Sequence, residues 1–212
     1  RTQYRILHTM YSKLARCKVC PRIGGHWEVL GFQGTDPQTD LNRSGGLLNV
    51  LHMFFCFTHV FETFRAAYAL SQDDQHHFPL AAVCINITKL VIDELQAGSL
   101  SNAIQKTDGG VFEATCCLFS GSLHCFYTRW RSQKRTIRDS ELTFGEVKDM
   151  LRRQPMTLLE DLEKAANQKP AKQETTEQCV FTDLHELSPQ EAHEGTAAEL
   201  VHPRLRETLE KG

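Results

Sequence analysis

Long apolar runs are missing from this 212-residue sequence. Stretches such as residues 53–57 fall far short of the ~18 consecutive apolar residues that a membrane-spanning helix needs, so no transmembrane segment is expected. A charge excess of one sign is missing too. Twenty-four Lys+Arg against 26 Asp+Glu give a net charge of -2, which leaves no global basic field for nucleic acid or an anionic surface. No hairpin signal and no repeat of solenoid length is present, which argues against sandwiches, barrels and stacked arrays. No phosphate loop, Ser/His/Asp set or paired carboxylates stand out, so the chain is expected neither to bind a nucleotide by itself nor to act on a small-molecule substrate. A signal peptide is also lacking within these residues. The chain opens on Arg1 rather than Met, and it reads as a fragment of a longer protein.

What is present is ample apolar content and helical spacing. Hydrophobic residues make up 41% of the chain, enough for one ordinary domain with a real core. The eight cysteines, at 17, 20, 56, 84, 116, 117, 125 and 179, lie mostly inside apolar segments. That pattern fits buried thiols in a reducing compartment better than a disulfide scaffold, and the expected location is intracellular and cytoplasmic.

Residues 4–19 carry Tyr4, Leu7, Met10, Tyr11 and Leu14 at helical intervals, with Lys13, Arg16 and Lys18 toward a basic end and Pro21 as the stop. Residues 46–70 are apolar nearly all round in their first half, which predicts a central buried helix. Ser44 is its expected N-cap, and a break near Thr58-His59 would split it in two. Pro79 opens a segment with Leu80, Cys84, Ile87, Val91 and Leu95; its β-branched content would suit a strand, but length and spacing favour helix up to Gly98. Further helices are expected after Asp108-Gly109-Gly110, after Ser140 as a cap, and from Pro155. The fold class is all-α, a single irregular multi-helix domain.

Composition divides the chain into residues 1–22, a first helix; residues 23–166, the body of the domain; and residues 167–212, a tail. The tail holds nine acidic against five basic residues, a local charge of -4, and a single aromatic residue, Phe181. It is expected to be disordered, with short helices near 197–200 or 204–210.

The most informative stretch is residues 26–46. It runs from an apolar segment around Trp27 into a turn-rich loop with Gly31, Gly34, Pro37, Gly45 and Gly46, where Asp36, Thr39, Asp40 and Ser44 can bond nearby main chain. Connectors of roughly a dozen residues between apolar elements are often functional. Its one cation is Arg43, on a glycine-flanked turn just before a helix.

The words Trp27-x-x-x-Gly31-Phe32-Gln33-Gly34-x-x-Pro37-x-Thr39-Asp40, followed by an Arg/Gly-rich turn and a Leu-rich helix, resemble the signature of the ELMO domain. Phe78-Pro79, Asn86-Ile87-Thr88 and residues 130–137 also resemble members of that family, and the similarity covers residues 4–166. The resemblance implies an all-helical domain that accelerates GTP hydrolysis on small GTPases of the Arf and Arf-like group. It implies no cofactor on this chain, since GTP and Mg²⁺ belong to the partner. Arg43 would then supply the catalytic guanidinium, and Trp27, Gly31, Phe32, Gln33, Pro37, Thr39, Asp40 and Asn42 would contact the partner or brace the loop. One departure stands out. In register with Thr39-Asp40, the family's usual arginine falls at Asn42, and here the arginine comes one residue later.

Each motif also has a plainer reading. Arg43 could simply pair with Asp36 or Asp40 at the surface. Gln33 could orient an attacking water or satisfy backbone groups in the turn. Cys17-Lys18-Val19-Cys20 with His26 nearby resembles a zinc half-site, but a lone Cys-x-x-Cys set on a helix reads as structural thiols, and no metal is expected. Asn86-Ile87-Thr88 fits a glycosylation sequon in an unfavourable helical setting. The basic residues 129–138 could face a GTPase or lipid headgroups, or end a helix in solvent. The rival function is a non-catalytic adaptor that binds a GTPase or an exchange factor in regulation of actin or membrane traffic, with peripheral membrane or cytoskeletal association.

Overall fold

The computed structural model describes residues 2–167, and these form helices and connecting turns with no strand among them. The α-helices are α1 (Thr2–Leu14), α2 (Pro37–Leu41), α3 (Leu47–His59), α4 (Phe61–Ser71), α5 (Leu80–Gln96), α6 (Ser101–Gln105), α7 (Gly110–Ser132), α8 (Ser140–Arg153) and α9 (Pro155–Asn167). The expected tail and its short helices lie outside the described residues.

α7 is the axis of the bundle, packing against α3, α4, α5, α6, α8 and α9. Its buried face carries Leu118, Phe119, Leu123, Phe126 and Trp130, each fully removed from solvent. Around its C-terminal half, Phe78, Phe126, Phe144 and Trp130 form an aromatic cluster with ring centroids 5.0–5.4 Å apart. Such contacts add about 0.5–1.5 kcal/mol per pair beyond the area they bury. Gly121 lets α9 approach closely, because a Cβ there would sit 2.6 Å from the Leu158 carbonyl oxygen.

The first half of residues 46–70, expected as a central buried helix, is α3, which packs on α7, α1, α4 and α5. α3 buries Val50, Met53, Cys56 and Phe57 but leaves Leu47 half exposed. The break comes at Val60, and α4 leaves α3 at 110°. Among the described residues no single helix is long and apolar enough to cross a membrane. Ser44 does not cap α3; Gly46 occupies that position with no side-chain bond. Nor does Ser140 cap α8. The preceding turn is closed by a capping box in which Thr136 and Asp139 bond reciprocally, and Ser140 is the first residue of the helix.

α1 ends at Leu14, earlier than its basic residues imply, and Arg16 adopts a positive φ of 54°. Cys17 and Cys20 thus lie in the connection after α1, not on a helix. That connection is pinned by long-range bonds: the Tyr4 hydroxyl donates to the Cys20 carbonyl, and Trp27 Nε1 donates to the Arg22 carbonyl at 3.1 Å. α5 is helical, ending before Gly98 at φ 78°. α6 was not expected; five residues are too few to show periodicity.

The basic residues 129–138 are solvated only in part: Arg131, Lys134 and Arg138 are exposed, whereas Arg129 and Arg135 are held by α8. Arg135 is buried at 4% exposure, with Nη1 donating to Thr143 Oγ1 and Nη2 pairing with Glu146 Oε1, both at 2.8 Å. Arg129 holds the other Glu146 oxygen at 2.9 Å. The hydrogen bond from Arg135, together with that from Arg129, holds the Glu146 carboxyl below the usual range. A long-range need explains this: the two arginines lock the end of α7 onto α8.

Candidate functional site

Residues 25–46 fold back on themselves against α1, α3 and α5. A 3₁₀ turn, Gly25–Leu30, carries Trp27 fully buried, with Tyr4, Tyr11, His26 and Phe32 around its indole at 4.8–6.4 Å between centroids. Trp27 and Phe32 are anchors in the core, and Pro37 is buried too. Gly31 turns the chain at φ 86° against the start of α5, and its carbonyl accepts the Ala82 N–H at 3.3 Å.

α2 then begins with Asp36-Pro37. The Asp36 side chain accepts the Gln38 N–H at 3.0 Å, and Thr39 Oγ1 donates to the Asp36 carbonyl at 2.8 Å. An acidic cap followed by proline in the first turn is a local helix-start signal, and it could have revealed this short helix in the sequence. Asp40 faces inward at 3% exposure, where Oδ2 accepts the Gln33 N–H at 2.6 Å. Asp40 and Thr39 thus hold the loop.

Arg43 closes the arrangement. Its Nη1 donates to Gln33 Oε1 at 2.8 Å, and its Nη2 lies 3.4 Å from Asp40 Oδ1. Gln33 Oε1 therefore accepts from the guanidinium rather than serving a backbone group of the turn. The arginine side chain keeps 59% of its surface exposed. Asn42 precedes it at the C-cap of α2, also exposed. Gln33, Gln38, Thr39, Asn42 and Ser44 of the same stretch have exposed, uncharged side chains, and Leu47 is a half-exposed apolar one. The assembly can present one cation to an anion on a partner while its backbone stays fixed.

Among the described residues no group of three or more His, Cys, Asp or Glu could hold a metal ion. Cys20 Sγ and His26 Nε2 are 3.5 Å apart and buried, and burial pushes the Cys20 thiol up and the His26 imidazole down, as expected of inert core groups. Asn86 is exposed on α5, but Thr88 of the sequon is fully buried against His52.

The polar residue that sequence reasoning missed is Asn49, fully buried on α3 beneath the Arg43 turn. Its signal is an amide placed in residues 47–57, which are apolar but for Asn49 and His52. One helical turn on, His52 is also fully buried, bonded to Thr88 Oγ1 at 3.2 Å, with its ring tilted against Phe119 at 5.0 Å between centroids. Burial lowers its pKa to about 4. Because the folded value lies below the unfolded one of ~6.5, stability is complete above that pH and falls as protons bind the unfolded chain. The expected loss from His52 alone is about 2 kcal/mol between pH 7 and pH 5. Urea unfolding at both pH values checks it: His52→Gln, though less stable at pH 7, should lose less on acidification than wild type.

The profile of the ELMO/CED-12 family matches residues 1–144. The chain belongs to the ELMO/CED-12 family. ELMO domain-containing protein 3 of Homo sapiens is 33% identical over 163 residues, which is 75% of this chain and 42% of that protein. Its Bos taurus counterpart is 35% identical over 166 residues, with the same 75% and 42% coverage. The ankyrin repeat and ELMO domain-containing protein D of Dictyostelium discoideum is 27% identical over 89 residues, 42% of this chain and 7% of that protein. The chain thus spans about two fifths of the length of the ELMO domain-containing protein 3 relatives it matches. No solved structure matches it.

Proposed function

We propose that this ELMO domain is a GTPase-activating protein for small GTPases of the Arf and Arf-like group, and that Arg43 enters the partner's nucleotide site. The observation that carries the reading is an arginine with 59% of its side chain exposed on a turn whose backbone is tied down on both sides. GTP hydrolysis builds negative charge on the γ-phosphoryl oxygens and the leaving bridge, and a guanidinium delivered from outside neutralises it. The planar, permanently charged fork suits that task better than a lysine ammonium. GTP and Mg²⁺ are held by the partner, and this chain carries no cofactor of its own. The domain acts inside the cell, wherever its GTPase is loaded.

Magnitudes favour release of Arg43 from its resting contacts. The hydrogen bond that the charged guanidinium donates to Gln33 is worth about 1.5–3 kcal/mol, and the 3.4 Å pair with the buried Asp40 carboxylate, screened at its exposed arginine end, adds on the order of 1 kcal/mol. An arginine finger contributes roughly 10³–10⁵ in rate, or about 4–7 kcal/mol in the transition state. The tether to Gln33 and Asp40 is therefore a resting position that the transition state outcompetes.

A second reading, a non-catalytic adaptor for a GTPase or an exchange factor, is favoured by one observation: the arginine stands one residue beyond the family's usual position. Single-turnover GTP hydrolysis by a panel of GTP-loaded Arf and Arf-like proteins, with and without this chain, separates the two. Acceleration on at least one member supports the activator. Saturable binding without acceleration on any member moves the assignment to the adaptor.

A further inference from the structure

The Arg43 turn is held from below by a single side chain. Asn49, the third residue of α3, is fully buried, and its carboxamide nitrogen donates to the Leu41 carbonyl at 3.2 Å and to the Ser44 carbonyl at 2.9 Å. Those two carbonyls bracket Asn42 and Arg43. Leu41 is the last residue of α2, whose final carbonyls have no partner within the helix. A carboxamide NH₂ offers two donors, and here both are used on the two ends of the same four-residue turn. The orientation is fixed by chemistry, since two carbonyl acceptors require the nitrogen at that place.

Gly45 completes the fit. It takes φ 93°, and a Cβ there would lie 2.7 Å from Asn49 Oδ1 and 3.0 Å from Thr88 Cγ2. Asn49 Oδ1 is buried with no hydrogen-bond partner among the described residues. Burying an unsatisfied amide oxygen is unfavourable and gives the core nothing. Its retention is explained by what the other half of the same group does for the turn.

We propose that Asn49 is the positioning residue of this site, setting the direction in which Arg43 leaves the surface. The inference rests on the reading that Arg43 acts in a partner's nucleotide site. It extends that reading to a residue that touches neither partner nor nucleotide. Asp at position 49 would set carboxylate oxygens against two carbonyls; Leu has nearly the same size but no donor. Either change frees the turn to sample other directions, and a displacement of ~1 Å of a catalytic group can lower a rate about 10²-fold.

The test pairs two readouts on the 212-residue chain carrying Asn49→Leu. For partner GTP hydrolysis, kcat should fall about 10²-fold with KM for the GTPase held within about twofold. Hydrogen exchange at the Asn42, Arg43 and Gly46 amides, which donate to the Gln38, Asp40 and Arg43 carbonyls, should quicken at least tenfold, while amides in the middle of α3 and α7 keep their wild-type protection. Unchanged kcat in a folded Asn49→Leu chain overturns the proposal, as does a change confined to KM. Should Asn49→Leu fail to fold, Gly45→Ala strikes the same clamp from the other side and decides by the same criterion. If the wild-type chain accelerates no GTPase, the Arg43 reading falls by itself. Asn49 is then judged by exchange alone: a loosening confined to residues 42–46 retains it as the residue that sets the turn, and uniform or unchanged exchange removes it.

Discussion

Arg43→Lys is expected to reduce partner-dependent GTP hydrolysis by about 10³-fold or more, with affinity for the GTP-loaded partner kept within about threefold. The charge is conserved in that variant, so the loss isolates geometry. Lysine offers a point charge on a flexible stem, whereas the guanidinium offers donors in a fixed fork that can bridge two oxygens at once. Lysine would also lose the Nη1 bond to Gln33 Oε1 that parks the side chain over the loop. Asn42→Ala is the matching control, because Asn42 stands where the family motif usually has its arginine and exposes its side chain. Its rate should stay within about threefold of wild type, as expected for an exposed residue outside the charge-stabilising contact. A reversed pattern, with Asn42→Ala the damaging change, would mean that the site had been placed one residue off.

Gly31→Ala is expected to destabilise the domain by about 3 kcal/mol or more, a large share of the ~5–15 kcal/mol that holds an ordinary domain together. Two effects combine. A residue with a Cβ pays about 1–2 kcal/mol in the left-handed region that Gly31 occupies at φ 86°. The added methyl would also lie 2.2 Å from the Leu80 nitrogen and 2.4 Å from the Pro79 carbonyl carbon. Those are backbone atoms at the start of α5, so no side chain can swing aside, and overpacking of this kind adds about 1–3 kcal/mol. Gly25→Ala provides the contrast, since a Cβ there meets nothing within 4 Å. It should change stability by less than about 0.5 kcal/mol. Urea denaturation of both variants, read as a midpoint shift at constant slope, gives the comparison. Equal effects at the two glycines would show that the contact between Gly31 and α5 does not matter.

What could be read in the sequence was what depends on near neighbours. Apolar spacing with Pro and Gly punctuation located α5, α7, α8, α9 and the helical stretch that holds α3 and α4, though not the division of that stretch in two, because each carries at least three turns of periodic side chains. The loop's identity was legible for the same reason, since its glycines, Pro37 and its Asp and Thr residues act on their own backbone. Boundaries governed by distant contacts were not legible. α1 stops at Leu14 because the next residues are tied to Tyr4 and Trp27, and no local signal announces those bonds. Arg135 reads as one more cation at a helix end, and only the approach of Glu146 and Thr143 on α8 explains its burial. In the candidate site the motif names Gln33, Asp40 and Arg43 but not their closed ring, whose ends lie ten positions apart in the chain. Asn49 was hidden because an isolated polar residue in an apolar helix gives no hint of which carbonyls it serves.

In the proposed activity Arg43 binds the charge of the transition state. The most direct test compares the affinity of this chain for a responsive GTPase in two forms: loaded with a non-hydrolysable GTP analogue, and loaded with GDP and aluminium fluoride, which mimics the phosphoryl group in transit. Wild type should bind the aluminium fluoride complex at least 10²-fold more tightly than the GTP-analogue complex, and Arg43→Lys should bind the two nearly alike. A wild-type chain that does not distinguish the two complexes, or an Arg43→Lys chain that distinguishes them as well as wild type does, would contradict the account.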